Sequence, residues 1–505
     1  VTAFDPATLI PVLIGIGEVL DRPEIDIEGM DAITLMLAAL QAAEADVGAP
    51  VLGMLDWLGV EDEISFPEPA PQESLAARLP ERPARLVKTF EASGDGPIQL
   101  INDAANLIGA GEIALAACVG AEALRTAAKR AQADIAAGRE PPKTSVAQVA
   151  ADNALPLAKK YGLLTPIDVY PLYENAARAA WGQTVAEGQT ESGTIWEGFS
   201  RVAAANPCAW IRREITAAEI IEPTAENRMV SFPYTKLMVA NASVNMGAAV
   251  IVASLAKARE LGVPEDRLVY IGAGAAAHEG EDFLLRASYS RSPSIEATVE
   301  AALDRNGVTP GDIDHLELYS CFPIVPKLAR RVLEWPLEKP ATVYGGLTFG
   351  GGPIGNCMMH AAARMTAALR ESGAFGLIVA NGGYATHSHS IVLARQPLPE
   401  GTIPQDYDVQ AAADARRGNS PQLLAEYEGT GTIETFTIPC DRKGVPLHAT
   451  IIARTPGGER FIARVPGSDV AGLEALMRDN ARPVGSVGTA RCSEDGSIIW
   501  STDPS

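Results

Sequence analysis

The sequence predicts an α/β protein in which one strand-and-helix domain occurs twice, with a long insertion in the first copy and a small β-rich domain at the end. Three observations carry the prediction. The same short phrases recur in the same order at an offset of about 256 to 264 residues, the mark of a duplicated unit. Residues 125–238 interrupt the first copy with helical patches and loops rich in Pro, Asn and aromatics. Beyond Arg395 the pattern changes to short alternating segments separated by turns.

The copies can be followed element by element. Ile14-Gly15-Ile16-Gly17 ends one apolar run and Ile271-Gly272-Ala273-Gly274 ends its counterpart. Helices closed by glycine follow, Ile33 to Gly48 and Ile295 to Gly307, then strand-like runs at Val51 to Leu58 and His315 to Tyr319. Gly94-Asp95-Gly96-Pro97-Ile98 and Gly350-Gly351-Gly352-Pro353-Ile354 each open a helix. Those helices run into Gly111 and Gly373, before the strands Ile113 to Val119 and Phe375 to Ala380. The last strand of the first copy is delayed to Ser243 to Ala253. The N-terminal half is therefore 1–124 with 239–266, the inserted loop domain 125–238, the C-terminal half 267–396, a linker 397–418 and the β-rich domain 419–505. A helical patch is expected over Val149 to Tyr161. In the tail, strands at Thr430 to Ile438, Leu447 to Arg454 and Arg460 to Val465 precede a helix at Val470 to Met477. Because the tail reads as a separate unit, a chain ending near Gln396 is expected to keep its fold.

Composition narrows the function. Hydrophobic residues make up 47% of the chain and charged residues 21%, which places its 505 residues among globular proteins with about three domains. A formal charge of -22 argues against nucleic acid as a partner, since phosphate backbones require a basic face. An anionic ligand needs only a local basic cluster. Lys159-Lys160, Arg212-Arg213, Arg228 and Lys236 in the insertion supply one or form a solvated face. Six scattered cysteines lack metal-type spacing and fit reduced thiols. No apolar stretch reaches the ~18 residues of a membrane span, and the expected location is cytoplasmic.

A duplicated domain places its site where the copies face each other. Both Gly-Pro elbows set a tight turn before a helix, whose first N–H groups favour an anion, a thiolate or a developing oxyanion. Glycine there also serves simply to let a strand turn into a helix. Ile98, Ile101, Ala105 and Ile108 give the first elbow helix its buried stripe, with Asn102 and Asn106 on other faces.

The duplicated halves, the excursion between the last two strands of the first half, and Gly345-Gly346-Leu347-Thr348-Phe349-Gly350-Gly351-Gly352-Pro353 resemble the thiolase superfamily. Tyr319-Ser320-Cys321-Phe322 is similar to the His-Asp-Cys-Phe box of its sterol-carrier branch. The resemblance covers about residues 8 to 396. With the extra tail it is nearest to the sterol-carrier-thiolase-like type 1 proteins, often labelled acetyl-CoA acetyltransferase. It implies a duplicated thiolase fold, layered α-β-α-β-α, in an acyltransferase family of lipid metabolism. The chemistry is altered. Gly94 stands where the family has its nucleophilic Cys, Gly352 replaces the His of Gly-His-Pro, Ala380-Asn381-Gly382 replaces Cys-x-Gly, and Tyr319 replaces the oxyanion-hole Asn or His. Losing the nucleophile and both proton-transfer groups removes the acyl-enzyme route.

The resemblance thus implies a protein that binds or transforms a CoA thioester without the standard Claisen cycle. Alternatives are a retro-aldol lyase on a 3-hydroxyacyl-CoA and a non-catalytic acyl-CoA-binding subunit. Candidate catalytic residues are Tyr319, Cys321 and His387; His387 and His389 share one face of a strand if it continues. Gly94 and Gly352 at the turns, with Arg212 and Arg213 in the insertion, are the candidates for holding the CoA ligand. No tightly bound cofactor or metal is expected, and the chain is expected to be a monomer or homodimer.

Overall fold

Apolar runs bounded by glycines become the strands of one central sheet. The computed structural model describes residues 5–140, 155–399, 401–480 and 482–502. The strands of its first half are β1 (Pro11–Leu20), β2 (Trp57–Val60), β3 (Arg85–Lys88) and β4 (Leu115–Ala123). The insertion holds β5 (Met229–Phe232) and β6 (Tyr234–Thr235), after which β7 (Asn245–Ser254) returns to the first half. The second half contributes β8 (Val269–His278), β9 (Ile313–Leu318), β10 (Phe375–Gly382) and β11 (His387–Ala394). Among the described residues all of these except β5 and β6 make a nine-stranded path, β3-β2-β4-β7-β1-β8-β11-β10-β9.

The duplication is visible in the pairing. β4 is parallel to β2 and antiparallel to β7, as β10 is parallel to β9 and antiparallel to β11. The halves join where β1 meets β8, through Val12↔Tyr270 and Leu13↔Val269. Central strands such as β4 and β7 are buried along their whole length because helices cover both faces, so their sequences run apolar rather than alternating. On one face the helix Gly96–Gly109 and its counterpart Cys357–Glu371 share a core with Leu13, Val250 and Ile391. On the other, Ala32–Val47 packs with Val12, Ile14 and Ile251. This helix and Pro293–Asn306 end alike, with Gly48 and Gly307 left-handed at φ 78° and 64°. The strand expected from Val51 begins only at Trp57, after a turn. Of the helix expected over 149–161, residues 149–154 lie outside the described residues, and Pro156–Lys160 is helical.

The tail adds β12 (Leu423–Leu424), β13 (Gly429–Pro439), β14 (Ala449–Arg454), β15 (Arg460–Val465), β16 (Val487–Cys492) and β17 (Ile498–Ser501). It shares its sheet with the insertion: β13 pairs with β5 through Ile438↔Phe232 and Pro439↔Ser231. Side chains reinforce the join. The Asn175 amide of the insertion helix Pro166–Ala180 donates to Phe436 O at 2.9 Å, and the Thr450 hydroxyl donates to Tyr161 O at 2.8 Å. Ile452 and Ile462 of the tail belong to the insertion's own core. Cutting the chain near Gln396 would bare this apolar face and leave the edge of β5 unpaired. The shortened chain is expected to aggregate or lose the insertion's tertiary structure, read by near-UV circular dichroism. A soluble shortened chain with native near-UV signal would restore the separable tail that alternation alone suggests.

The linker is a strap along the first elbow helix. Asn106 exchanges two hydrogen bonds with the Gln405 backbone, both 2.9 Å, and the Tyr407 hydroxyl donates to Asp103 at 2.7 Å. Gly109 permits the approach, since a Cβ there would lie 2.6 Å from Ile403 Cγ2.

Candidate functional site

The first elbow, Ser93 to Gly96, lies between the end of β10 and the start of helix Gly96–Gly109, which Pro97 opens. A side chain at Gly94 would have no room. Its Cβ would lie 2.4 Å from the Asn381 carbonyl oxygen, 2.4 Å from Tyr319 Cε2 and 2.6 Å from the Tyr319 hydroxyl. The Tyr319 ring and the Asn381 carbonyl therefore close the space beside this turn. No hydrogen bond engages the Gly94 amide among the described residues, so a donor remains at the turn.

Burial holds the Tyr319 hydroxyl well above the usual phenol range. At neutral pH it is a donor and not a base. Behind it Cys321 touches the Tyr170 hydroxyl, and burial pushes its thiol up to about 12, so it is no nucleophile at neutral pH. Tyr170, from the insertion, reaches the turn between β10 and β11. Its hydroxyl donates to Gly383 O at 3.0 Å, accepts from Ala385 N at 3.1 Å, and lies 3.4 Å from the Asn381 amide. Its ring stacks on Phe322 at 4.5 Å. Sequence reasoning misses Tyr170, which is more than a hundred residues from each of these partners and carries no local motif.

His387 faces the elbow. Its Nδ1 is 3.9 Å from Asp95 Oδ1 and its Nε2 3.2 Å from Glu281 Oε1, with about a quarter of the side chain exposed. Asp95 also accepts a short hydrogen bond from the Ser93 hydroxyl. Ser93, Asp95, His387 and Glu281 thus form a chain of exchangeable groups beside the first elbow, although Ser93 has no histidine near it in sequence. His389 lies on the same face of β11 but is fully buried. Its Nε2 meets the Asn102 amide at 2.5 Å, its ring lies 5.0 Å from that of Tyr407, and burial lowers its pKa to about 4. It is a neutral core histidine.

Beneath both elbows sits Glu61, fully buried at the end of β2. Its Oε1 accepts from Ser93 N at 2.9 Å, while Oε2 has no partner among the described residues. A Cβ at Gly96 would fall 2.1 Å from Oε2 and one at Gly355 2.4 Å from Oε1. Both elbows need these glycines to admit the one carboxyl group. Burial raises its pKa well above the carboxylate range, favouring the neutral acid.

The second elbow has spent its donor. Gly352 N donates to Asn241 O at 2.9 Å, and a Cβ there would meet Ala240, Asn241 and Leu347 at 3.3 Å. Gly351, at φ 118°, lies against Met246. Gly94 and Gly352 therefore differ: the first keeps a free amide, the second does not. Arg212 and Arg213 lie on the exposed surface of the insertion, Arg213 held by Glu219 at 3.3 Å. Arg212 is close enough to Arg22 to lower that guanidinium's pKa, after burial and Arg125. No His, Cys, Asp and Glu cluster able to hold a metal occurs among the described residues, and no helix among them is long and apolar enough to cross a membrane.

Comparison with known proteins adds the following. Residues 408–496 match the thiolase-like protein type 1 additional C-terminal domain. No curated protein matches the chain in sequence. The chain is similar in structure to a monomeric SCP2-thiolase-like protein type 1 from Mycobacterium smegmatis, with 28% identity, TM-score 0.82 and coverage of 99% of this chain and 100% of that one. It is also similar to an Ltp2–ChsH2(DUF35) aldolase, with 18% identity, TM-score 0.59 and coverage of 78% and 100%. Human mitochondrial 3-ketoacyl-CoA thiolase in complex with CoA gives 14% identity, TM-score 0.57 and coverage of 77% and 99%. These last two likenesses concern the fold.

Proposed function

We propose that this chain, a thiolase-like protein of type 1 with a thiolase fold and the additional C-terminal domain, binds a CoA thioester non-covalently between its halves and forms no acyl-enzyme. One observation carries the reading: the Tyr319 ring and the Asn381 carbonyl fill the space of the nucleophile, while the Gly94 amide stays free to meet a carbonyl oxygen. The insertion supports it by bringing Tyr170 to the cleft and by presenting Arg212, beside Arg22, on its surface. The CoA phosphates are assigned to Arg212 and Arg213. Replacing both by Ala is expected to weaken CoA binding measured by calorimetry, with a smaller loss at high salt because exposed charges are screened. Unchanged affinity removes those arginines from the site.

The Asp95–His387 contact favours a second reading, retro-aldol cleavage of a 3-hydroxyacyl-CoA. His387 takes the 3-hydroxyl proton, the C2–C3 bond breaks to give an aldehyde or ketone, and the electron pair forms the thioester enolate, which is then protonated at C2. Tyr319 donates a hydrogen bond throughout. Under this reading Tyr319→Phe abolishes turnover of a 3-hydroxyacyl-CoA while CoA affinity stays near that of the parent, and Cys321→Ala has little effect. A dead Cys321→Ala beside an active Tyr319→Phe would return a thiol mechanism. No turnover by the parent leaves non-covalent binding as the function.

A further inference from the structure

Behind the turn that links β10 to β11 lies a pocket of about 230 Å³, lined by four arginines, Arg286, Arg291, Arg416 and Arg417, with Glu279, Ser288 and small residues. In a chain of formal charge -22 such a convergence of guanidinium groups is against the general trend. We propose that this pocket binds a phosphate or diphosphate group.

The donors are only partly spent internally: Arg417 Nη2 donates to His278 O at 2.6 Å and its Nη1 pairs with Asp414 at 3.0 Å. The Arg286 side chain is only 4% exposed, and its Nη1 is committed to the turn, donating to Ala385 O at 2.8 Å. Its Nη2 has no hydrogen bond among the described residues and only a 3.7 Å ion pair with Glu279. Arg417 Nε, although 3.3 Å from Glu279, also makes no hydrogen bond. Arg417 Nε is therefore a buried donor left open, and Arg286 Nη2 has only the long ion pair; an unmade buried bond is costly.

Glu279 does not fill the role of the ligand. It lies on the floor, where Oε1 accepts from Ser294 N at 2.9 Å at the start of helix Pro293–Asn306, so it is the helix amide that consumes its stronger contact. The outer arginines sit at the rim, the exposed Arg291 held by Glu296 and Arg416 by the exposed Glu300, each at 2.6 Å at the nearest atoms. Exposed pairs of this kind contribute little net energy. Their guanidinium groups can turn to an incoming anion at small cost. Several forks converging on one point suit the many oxygens of a phosphate better than the two of a carboxylate. The volume is below the ~300 Å³ at which pockets for drug-sized ligands begin, so the site accepts the charged group and not a whole nucleotide. Because Arg286 also holds the turn preceding His387, a filled pocket fixes the segment that borders the cleft.

Calorimetric titration of inorganic phosphate and of pyrophosphate into the full chain, at constant ionic strength, tests this. Saturable binding of one equivalent is expected, accompanied by a rise in melting temperature. The double variant Arg291→Gln/Arg416→Gln, whose changes are peripheral to the core, is expected to bind at least about tenfold more weakly and to lose the rise. Competition identifies the source: if CoA displaces phosphate, the pocket receives a phosphate of CoA, and if both bind together, it receives a free anion. Absence of saturable binding by either anion at millimolar concentration, or equal affinity in the double variant, overturns the proposal. Failure of CoA to bind leaves the phosphate measurement standing, so the two readings fail separately.

Discussion

Gly94→Cys, alone or with Gly352→His, is expected to give no acyl-enzyme with acetyl-CoA and to destabilise the protein by about 1–3 kcal/mol, the ordinary cost of overpacking a closed site. The reason lies in what surrounds the turn. Of the three atoms that a new Cβ would meet, two belong to the Tyr319 ring and can be trimmed by substitution. The third is the Asn381 carbonyl oxygen at 2.4 Å, part of the β10 backbone, and cannot move without shifting the strand that pairs with β9 and β11. Adding Tyr319→Asn should therefore recover only part of the lost stability and none of the chemistry. Gly352→His meets three neighbours at 3.3 Å, which must each give by a few tenths of an ångström, and its amide stays bonded to Asn241. Intact-mass measurement after incubation with acetyl-CoA, with urea unfolding alongside, checks both halves of the expectation. An acyl adduct on the introduced thiol would mean that the elbow is pliable and that the fold has kept its capacity for covalent catalysis.

The repeat was legible because it is written locally. Glycine ends, apolar strands and elbows recur in order, and each is fixed by neighbours within a few residues, as with the left-handed Gly48 and Gly307. The glycines of both elbows were legible for the same reason, since Gly94 and Gly352 sit in short local motifs. What packs against them was not. Tyr319 against Gly94, Tyr170 against Gly383 and His387 against Asp95 are contacts across hundreds of residues, with no periodicity to announce them. The two histidines of β11 show the limit well: alternation puts both on one face, but only depth decides that His387 meets solvent while His389 is sealed against Asn102. The join between the tail and the insertion was not legible, because alternation reports that a strand exists and says nothing about its neighbour, here β5 of the insertion. The arginine pocket gathers residues from two segments more than a hundred positions apart, so no charge run marks it.

Lys327→Met is expected to be among the most damaging single changes, costing about 3–5 kcal/mol, because it strands a buried charge. Lys327 and Glu174 are both almost wholly buried and meet at 2.6 Å. Lys327 Nζ also donates to Gly188 O at 3.0 Å, and Glu174 accepts the Tyr234 hydroxyl at 2.8 Å. Four segments of the cleft wall are tied at this point. Helix Ile324–Val332 follows directly from the Tyr319–Phe322 box, while Pro166–Ala180 carries both Glu174 and Tyr170. The pair therefore sets the insertion's tyrosine against the box that closes the nucleophile space. Methionine fills most of the lysine's volume, so the loss would come from the carboxylate left with one neutral donor and not from a cavity. The double change Lys327→Met/Glu174→Met removes both charges and is expected to regain much of the stability, as apolar replacement of whole buried pairs often does. Urea midpoints of the parent, both single variants and the double variant give the coupling directly. Additive single losses would show that the two residues act separately and that the tie between insertion and core lies elsewhere, whereas strong recovery in the double variant places it at this pair.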